Sequence, residues 1–285
     1  TQTAGSIIRP ASFCGVYGCK PSFGLIPRTA MLKTTDSLDS VGFFSYFSED
    51  LQSVFDACRV HGPNFPISYK ALGDPSRQVK PKSRPWRVAF VRNDCWENTP
   101  EYAKTEMNEF VRQLSKFEDI QLLEVQLPAE MEAARNTHKI IYNKSLSYYF
   151  SEEYEKKDFV SSVMLDLLED GQKITIQDYH SALAQQSTLI NKIDEFMQDY
   201  DVMLSLSTSG QAPLRGQEEL PDSALMWTLT HLPVVSAPVF QSPDGMPFGL
   251  QITARKYNDI LLFNFVDFLR EMNLIPKVCN PVLGL

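Results

Sequence analysis

Thr1-Gln2-Thr3-Ala4-Gly5-Ser6-Ile7-Ile8-Arg9-Pro10-Ala11 opens the chain and sets a serine directly behind a glycine. Thr1 to Ala4 are small or polar, so the segment can turn tightly and bring several backbone N–H groups toward one point. Donors gathered beside a hydroxyl are the parts an acyl-transfer site requires: a nucleophile, and dipoles aimed at the oxyanion formed when it attacks. Taken alone the signal is weak, because a serine behind a glycine in a loop more commonly caps the helix that follows.

The flanking residues strengthen it. The stretch continues as Ser12-Phe13-Cys14-Gly15-Val16-Tyr17-Gly18-Cys19-Lys20-Pro21-Ser22-Phe23-Gly24, and Ser37-Leu38-Asp39-Ser40-Val41-Gly42 follows. Near the other end stand Leu232-Pro233-Val234-Val235-Ser236-Ala237-Pro238 and Gly245-Met246-Pro247-Phe248-Gly249-Leu250-Gln251. In this order the blocks resemble the amidase signature family, whose members cleave or transfer amide acyl groups with a Ser–cis-Ser–Lys triad. The resemblance reaches both ends of the chain, while residues 63–200 carry no specific motif.

The resemblance implies a fold, a reaction and a set of residues. The fold is α/β, with a mixed sheet covered by helices. The reaction is hydrolysis of an amide C–N bond through an acyl-serine, on a small-molecule amide and without metal or organic cofactor. Ser6 matches the nucleophile, the N–H groups of Thr3, Ala4 and Gly5 match the oxyanion hole, and Arg9 is expected to clamp the loop. In this family the bridging serine and the lysine base precede the nucleophile, and the sequence here starts five residues before Ser6. The expectation is therefore a C-terminal portion of a single amidase domain, residues 1–285, impaired without the N-terminal part of the same enzyme. Two variations accompany the match. Gln2 stands where many relatives are acidic and is expected to offer Arg9 a neutral hydrogen bond. Ala4 stands where many have glycine, and requires ordinary backbone angles there.

Periodicity supplies the elements. Ser48 reads as an N-cap, with Glu49 and Asp50 in the first turn and Leu51, Val54, Phe55 and Cys58 on one apolar face. Residues 62–85 hold five prolines and read as a connection over the surface. Strand 86–91, helix 100–117 and strand 120–125 form a strand–helix–strand unit, which predicts a parallel pair and an α/β sheet. Residues 129–200 read as a charged helical insertion, with Thr175 and Asp178 starting its last helix. Strands follow at 202–205, 234–240 and 248–254, with a short helix near 222–230, a turn at 242–245 and a final helix from Asp259.

Composition narrows the function classes. The chain has 285 residues, 43% hydrophobic, with 18 Phe and 11 Tyr, enough for a large core. Net charge is −8, from 35 acidic and 27 basic residues, and no basic stripe is present. Grip on nucleic acid or an anionic membrane is disfavoured. Five scattered cysteines and four histidines have no zinc-ligand spacing, so reduced thiols in a cytoplasmic protein are the expectation. No apolar run approaches the ~18 residues of a transmembrane helix. A homodimer is compatible with the sequence.

Other candidates have structural readings. Asp39 is expected to accept turn N–H groups, Lys20 to be structural, and His231 to be a satisfied histidine at a helix end. Cys14 and Cys19 are expected to pack rather than react. Tyr142, Tyr148, Tyr149 and Phe150 are assigned to core packing, the 152–155 acidic run to a solvated face, and the acyl pocket to variable helices within 129–200. Two other functions compete with the amidase. One is the amidase-like A subunit of a glutamine-dependent aminoacyl-tRNA amidotransferase, which residues 28–36 do not resemble and which requires a dedicated partner. The other is a non-catalytic scaffold or interaction remnant of the same fold.

Overall fold

In the computed structural model, which describes residues 1–279, the chain runs α1 (Ile8–Cys14), β1 (Tyr17–Lys20), β2 (Phe43–Ser45), α2 (Asp50–Cys58), α3 (Pro66–Leu72), α4 (Pro75–Gln78) and β3 (Trp86–Val91). It continues with α5 (Glu101–Leu114), β4 (Ile120–Val125), α6 (Ala134–Tyr149), α7 (Ser151–Tyr154), α8 (Ser162–Lys173) and α9 (Ile176–Phe196). The last elements are β5 (Val202–Leu206), α10 (Leu225–Leu229), β6 (Val234–Gln241), β7 (Pro247–Ala254) and α11 (Asp259–Glu271). The final six positions of the 1–285 span lie outside the described residues.

Among the described residues, seven strands join one mixed sheet in the order β2-β1-β6-β7-β5-β3-β4. The β3–α5–β4 unit is parallel as its sequence pattern predicts, and β5 adds to β3 in parallel. The β6–β7 hairpin then closes antiparallel onto β5, and β1 onto β6. Alternate side chains fill opposite faces, as the two-residue strand period requires. Val88, Phe90, Val202, Leu204, Leu250 and Ile252 join Phe55, Phe110 and Phe265 in one core. Ala89, Val91 and Met203 meet Ile141, Leu189, Ile193 and Trp227 in the other. Burial on both faces explains why these strands read as continuous apolar runs rather than alternating ones.

Helix starts show where local signals mislead. Ser48 does not cap α2: Glu49 holds the N-cap position with no side-chain cap bond, and the Ser48 hydroxyl is buried without a partner. The prolines of 62–85 do more than break structure. Pro66 and Pro75 open α3 and α4 at first-turn positions, where a missing N–H costs nothing. Gln78 is buried there, donating to the carbonyls of Ala71 and Tyr257. The capping box of Thr175 and Asp178 forms as read and starts α9.

Helix α1 matters most for the site. Gly15 ends it in the left-handed region at φ 66°, sending the chain back into β1. Ser12 reaches into the core from α1, accepting from the Gly249 N–H at 2.8 Å and bonding the Thr208 hydroxyl at 2.7 Å. The close approach of α1 to β1 requires Gly18: a Cβ there would lie 2.5 Å from the Ala11 Cβ. Overpacking of this kind costs about 1–3 kcal/mol. Gly18→Ala is therefore expected to lower the urea midpoint by a corresponding amount; unchanged stability would show that α1 is not held against the sheet by this contact.

Candidate active site

Residues 1–6 lead into α1 as a series of tight bends, and the carbonyls of Gln2 to Gly5 are all tied down. The Gln2 backbone pairs with Ser40 in both directions at 2.8 Å. The Thr3 carbonyl accepts from His138 Nε2 of α6 at 2.9 Å. The Ala4 carbonyl accepts from Thr228 Oγ1 of α10 at 2.5 Å. The Gly5 carbonyl accepts the Arg9 N–H at 2.8 Å, the first bond of α1.

The N–H groups behave differently. Gln2 is buried, and its Oε1 takes the N–H of Ile7 at 2.7 Å and of Ile8 at 2.9 Å. Among the described residues, no acceptor takes the N–H of Thr3, Ala4, Gly5 or Ser6. Gly5 is buried, Thr3 and Ala4 are half-buried and Ser6 is exposed, so the stretch offers backbone donors beside the serine hydroxyl. Ser6 is exposed and its hydroxyl bonds no described residue. Ala4 has ordinary negative φ, as expected.

Asp222 fixes the identity of residue 5. A Cβ at Gly5 would lie 2.2 Å from an Asp222 carboxylate oxygen. Asp222 Oδ1 accepts from the Ala224 N–H at 2.8 Å, while Oδ2 is buried with no hydrogen-bond partner. Burial raises the Asp222 pKa, and the nearby Arg9 and Arg135 guanidinium groups work against that rise. Arg9 does not bond Gln2 as the sequence suggested. Gln2 is consumed by the start of α1, and Arg9 instead pairs with Glu219 at 2.6 Å, joining α1 to the 207–224 loop. Arg135 of α6 donates to the Asp222 carbonyl at 2.9 Å and pairs with Asp94 beyond β3. A cavity of about 380 Å³ opens between Arg9 and Phe13 of α1 and Tyr102, Gln211, Leu214 and Asp222. Ser6 itself does not line it, and neither does any residue of 129–200, the region from which the acyl pocket was expected.

Three buried basic groups, Lys20, His138 and His231, are bonded to backbone carbonyls. Lys20 is fully buried, its Nζ bonded to the carbonyls of Leu232 at 2.5 Å and Pro21 at 3.2 Å. Burial lowers it to about 8, with Asp259 opposing the shift. His231 donates from Nε2 to the Ser37 carbonyl at 2.7 Å, stacks on Phe23, and is lowered to about 3 by burial and by Lys256. His138 is lowered to about 4, mainly by burial, despite its bond to Thr3. Asp39 accepts the N–H groups of Thr34 and Thr35 and the hydroxyls of Thr3, Thr34 and Thr35. Burial would raise its pKa, but these donors hold it below the ordinary carboxylate value. Among the described residues, no cluster of His, Cys, Asp and Glu is arranged to hold a metal.

Sequence reasoning misses His138, Thr228, Asp222 and Arg135. They lie far from Ser6 in sequence, and no local pattern marks a side chain that binds a remote carbonyl. Two other expectations fail on exposure: Cys14 is exposed rather than packed, and Tyr148 is 74% exposed on α6.

The buried histidines give a prediction. Unfolded histidine takes a proton near pH 6.5, whereas folded His138 and His231 stay neutral down to about 4 and 3. The unfolded chain therefore binds more protons between pH 6.5 and 4, and stability falls on acidification through that window. Each histidine contributes a slope of up to about 1.4 kcal/mol per pH unit. Urea titrations at several pH values should show His138→Gln with a shallower slope; an identical slope would mean that His138 is not buried neutral.

Comparison with known proteins supplies the context. The sequence model of the family described as Amidase matches residues 1–263. The A subunit of glutamyl-tRNA(Gln) amidotransferase from Synechococcus sp. is 26% identical over 289 residues, covering 88% of this chain and 55% of that protein. The chain thus spans about half the length of this curated relative. A solved inhibitor-bound complex, described as revealing the origins of an s-triazine catabolic enzyme, superposes with TM-score 0.80 at 20% identity, covering 98% of this chain and 63% of that one. A structure described as an amidase gives TM-score 0.79 at 20% identity, covering 95% and 61%. At these identities the superpositions speak for the fold.

Proposed function

The chain belongs to the amidase family, and we propose that the protein hydrolyses an amide C–N bond through an acyl intermediate on Ser6. The observation that carries this reading is the exposed Ser6 hydroxyl beside the unpaired N–H groups of Thr3, Ala4 and Gly5. Ser6 Oγ attacks the amide carbonyl carbon as its proton passes to a base. The C=O π pair moves onto oxygen, and that oxyanion is stabilised by the three N–H groups. Collapse expels the nitrogen, which takes up the proton and leaves as an amine or ammonia. Water then attacks the acyl-serine, releasing the acid and restoring the hydroxyl. Each oxyanion donor is worth about 2.7–4 kcal/mol of transition-state stabilisation in well-studied enzymes.

A serine hydroxyl needs a base to reach this reactivity. Lys20, His138 and His231 are committed to backbone carbonyls, and the base in this reading is the lysine that the family resemblance implies, which in that family precedes the nucleophile. Arg9 supports the loop through its pair with Glu219 and lines the cavity beside Asp222. The substrate is a small amide, and the cavity beside Asp222 is the place for part of it.

A second reading follows from the relatives. Proteins about 25–26% identical to this chain carry the name of the glutamyl-tRNA(Gln) amidotransferase A subunit. Under that reading the amide is glutamine, the released ammonia passes to a partner, and activity depends on a copurifying protein. Both readings share acyl-Ser6; a scaffold without chemistry does not.

Incubation of the full-length protein with a fluorophosphonate, followed by peptide mass spectrometry, tests the shared step. The expected result is one adduct on Ser6 and none in Ser6→Ala, with amide hydrolysis lost in the same variant. Labelling elsewhere with Ser6 untouched would remove the assignment.

A further inference from the structure

We propose that His138 and Thr228 are positioning residues that aim the oxyanion donors, each holding one carbonyl of the Thr3–Gly5 loop so that the following N–H group faces the reacting carbonyl. The inference rests on the acyl-Ser6 reading above and assigns a role to two side chains remote from the nucleophile in sequence.

Peptide geometry sets the constraint. Every peptide bond among the described residues is trans. In a trans peptide the C=O of one residue and the N–H of the next are antiparallel within one rigid plane. Holding the carbonyl therefore sets the direction of the donor. His138 pulls the Thr3 carbonyl toward α6, so the Ala4 N–H points away from α6. Thr228 pulls the Ala4 carbonyl toward α10, so the Gly5 N–H points away from α10. The outer two peptides of the loop are held by backbone, through Ser40 and Arg9. The inner two have side-chain anchors and, among the described residues, no backbone one.

The Thr228 bond has a fixed direction. Gln2 Oε1 already accepts two N–H groups, so the other end of that amide is its NH₂. This NH₂ donates to Thr228 Oγ1 at 2.8 Å. The Thr228 hydroxyl then has one proton to give, and the Ala4 carbonyl at 2.5 Å is much nearer than the Ala224 carbonyl at 3.3 Å. The relay runs Gln2 to Thr228 to Ala4 with no ambiguity in donor and acceptor. His138 is equally constrained: against a carbonyl, Nε2 must carry the hydrogen. Its ring is buried and stacks on Tyr142 with centroids 5.7 Å apart.

Without these anchors the loop has an alternative. Gly5 permits backbone angles closed to other residues, so the Ala4–Gly5 plane can flip at little cost. A flipped plane presents a carbonyl oxygen where a donor is needed, and a developing negative charge meets a second negative dipole. Loss of either anchor should therefore slow bond formation to Ser6 without changing how well the reagent or substrate is held beforehand.

The test uses the full-length protein and an aryl fluorophosphonate, whose attack forms the Ser6 O–P bond, breaks P–F and releases fluoride while the Ser6 proton goes to the base. Saturation kinetics of labelling separate the maximal rate constant from the half-saturating concentration. Thr228→Val and His138→Leu are expected to lower the maximal rate constant by about tenfold to a thousandfold, with the half-saturating concentration within about threefold of the parent. Thr228→Ser and His138→Gln each retain the donor and should recover most of the rate. All rates are read below each variant's thermal midpoint. Where Val or Leu prevents folding, Thr228→Ala and His138→Ala replace them. Parental rate constants in the donor-free variants would overturn the proposal, as would an effect confined to the half-saturating concentration or absence of rescue by Ser and Gln. Failure of the parent protein to label at Ser6 would instead overturn the underlying acyl-Ser6 reading.

Discussion

Four backbone N–H groups in succession, those of Thr3 to Ser6, bond no acceptor among the described residues, while every carbonyl from Gln2 to Gly5 is bound. The surrounding structure can be understood as what makes that arrangement hold. Carbonyls in the same stretch are bound by Ser40, His138, Thr228 and Arg9, which come from four separate parts of the chain. Gln2 removes the next two donors, those of Ile7 and Ile8, from competition. Helix α1 is in turn anchored by Ser12 between β7 and the end of β5, and by its near contact with Gly18 of β1. The chain from sheet to helix to loop is continuous, and each link is a named contact.

Electrostatics around the loop require compensation. Asp222 lies against Gly5 with one carboxylate oxygen buried and unpartnered, and a negative charge there would oppose an oxyanion nearby. Burial favours its neutral form, while Arg9 and Arg135 offset the charge of the ionised one. Those two arginines also tie the 207–224 loop to α1 through Glu219 and to α6 through the Asp222 carbonyl. Half-exposed ion pairs of this type are worth little as stability on their own; their contribution here lies in where they hold Asp222.

Much of the fold is legible in the sequence because it depends on local order. The β3–α5–β4 unit follows from apolar periodicity, and α9 from the Thr175 capping box. The mixed strand order does not follow from periodicity, since the pairings of β7 with β5 and of β1 with β6 join residues far apart in sequence. Ser48 misleads because a cap needs its own geometry as well as the right residue type. Pro66 and Pro75 mislead because proline both breaks helices and begins them. At the site, Ser6 and its loop are legible as a contiguous block, while His138 and Thr228 are not. A histidine and a threonine on amphipathic helices look like core or surface residues until the carbonyl they bind is placed beside them.

All of this converges on one proposal, that the N–H groups of Thr3, Ala4 and Gly5 receive the oxyanion formed at Ser6. A crystal structure of the full-length protein carrying a phosphonate adduct tests it most directly, because the phosphoryl oxygen stands in for that oxyanion. The expected structure has a bond from Ser6 Oγ to phosphorus, with the oxygen about 2.7–3.1 Å from at least two of the three nitrogens. An adduct whose oxygen points to solvent or to other donors, with these N–H groups still unengaged, would contradict it.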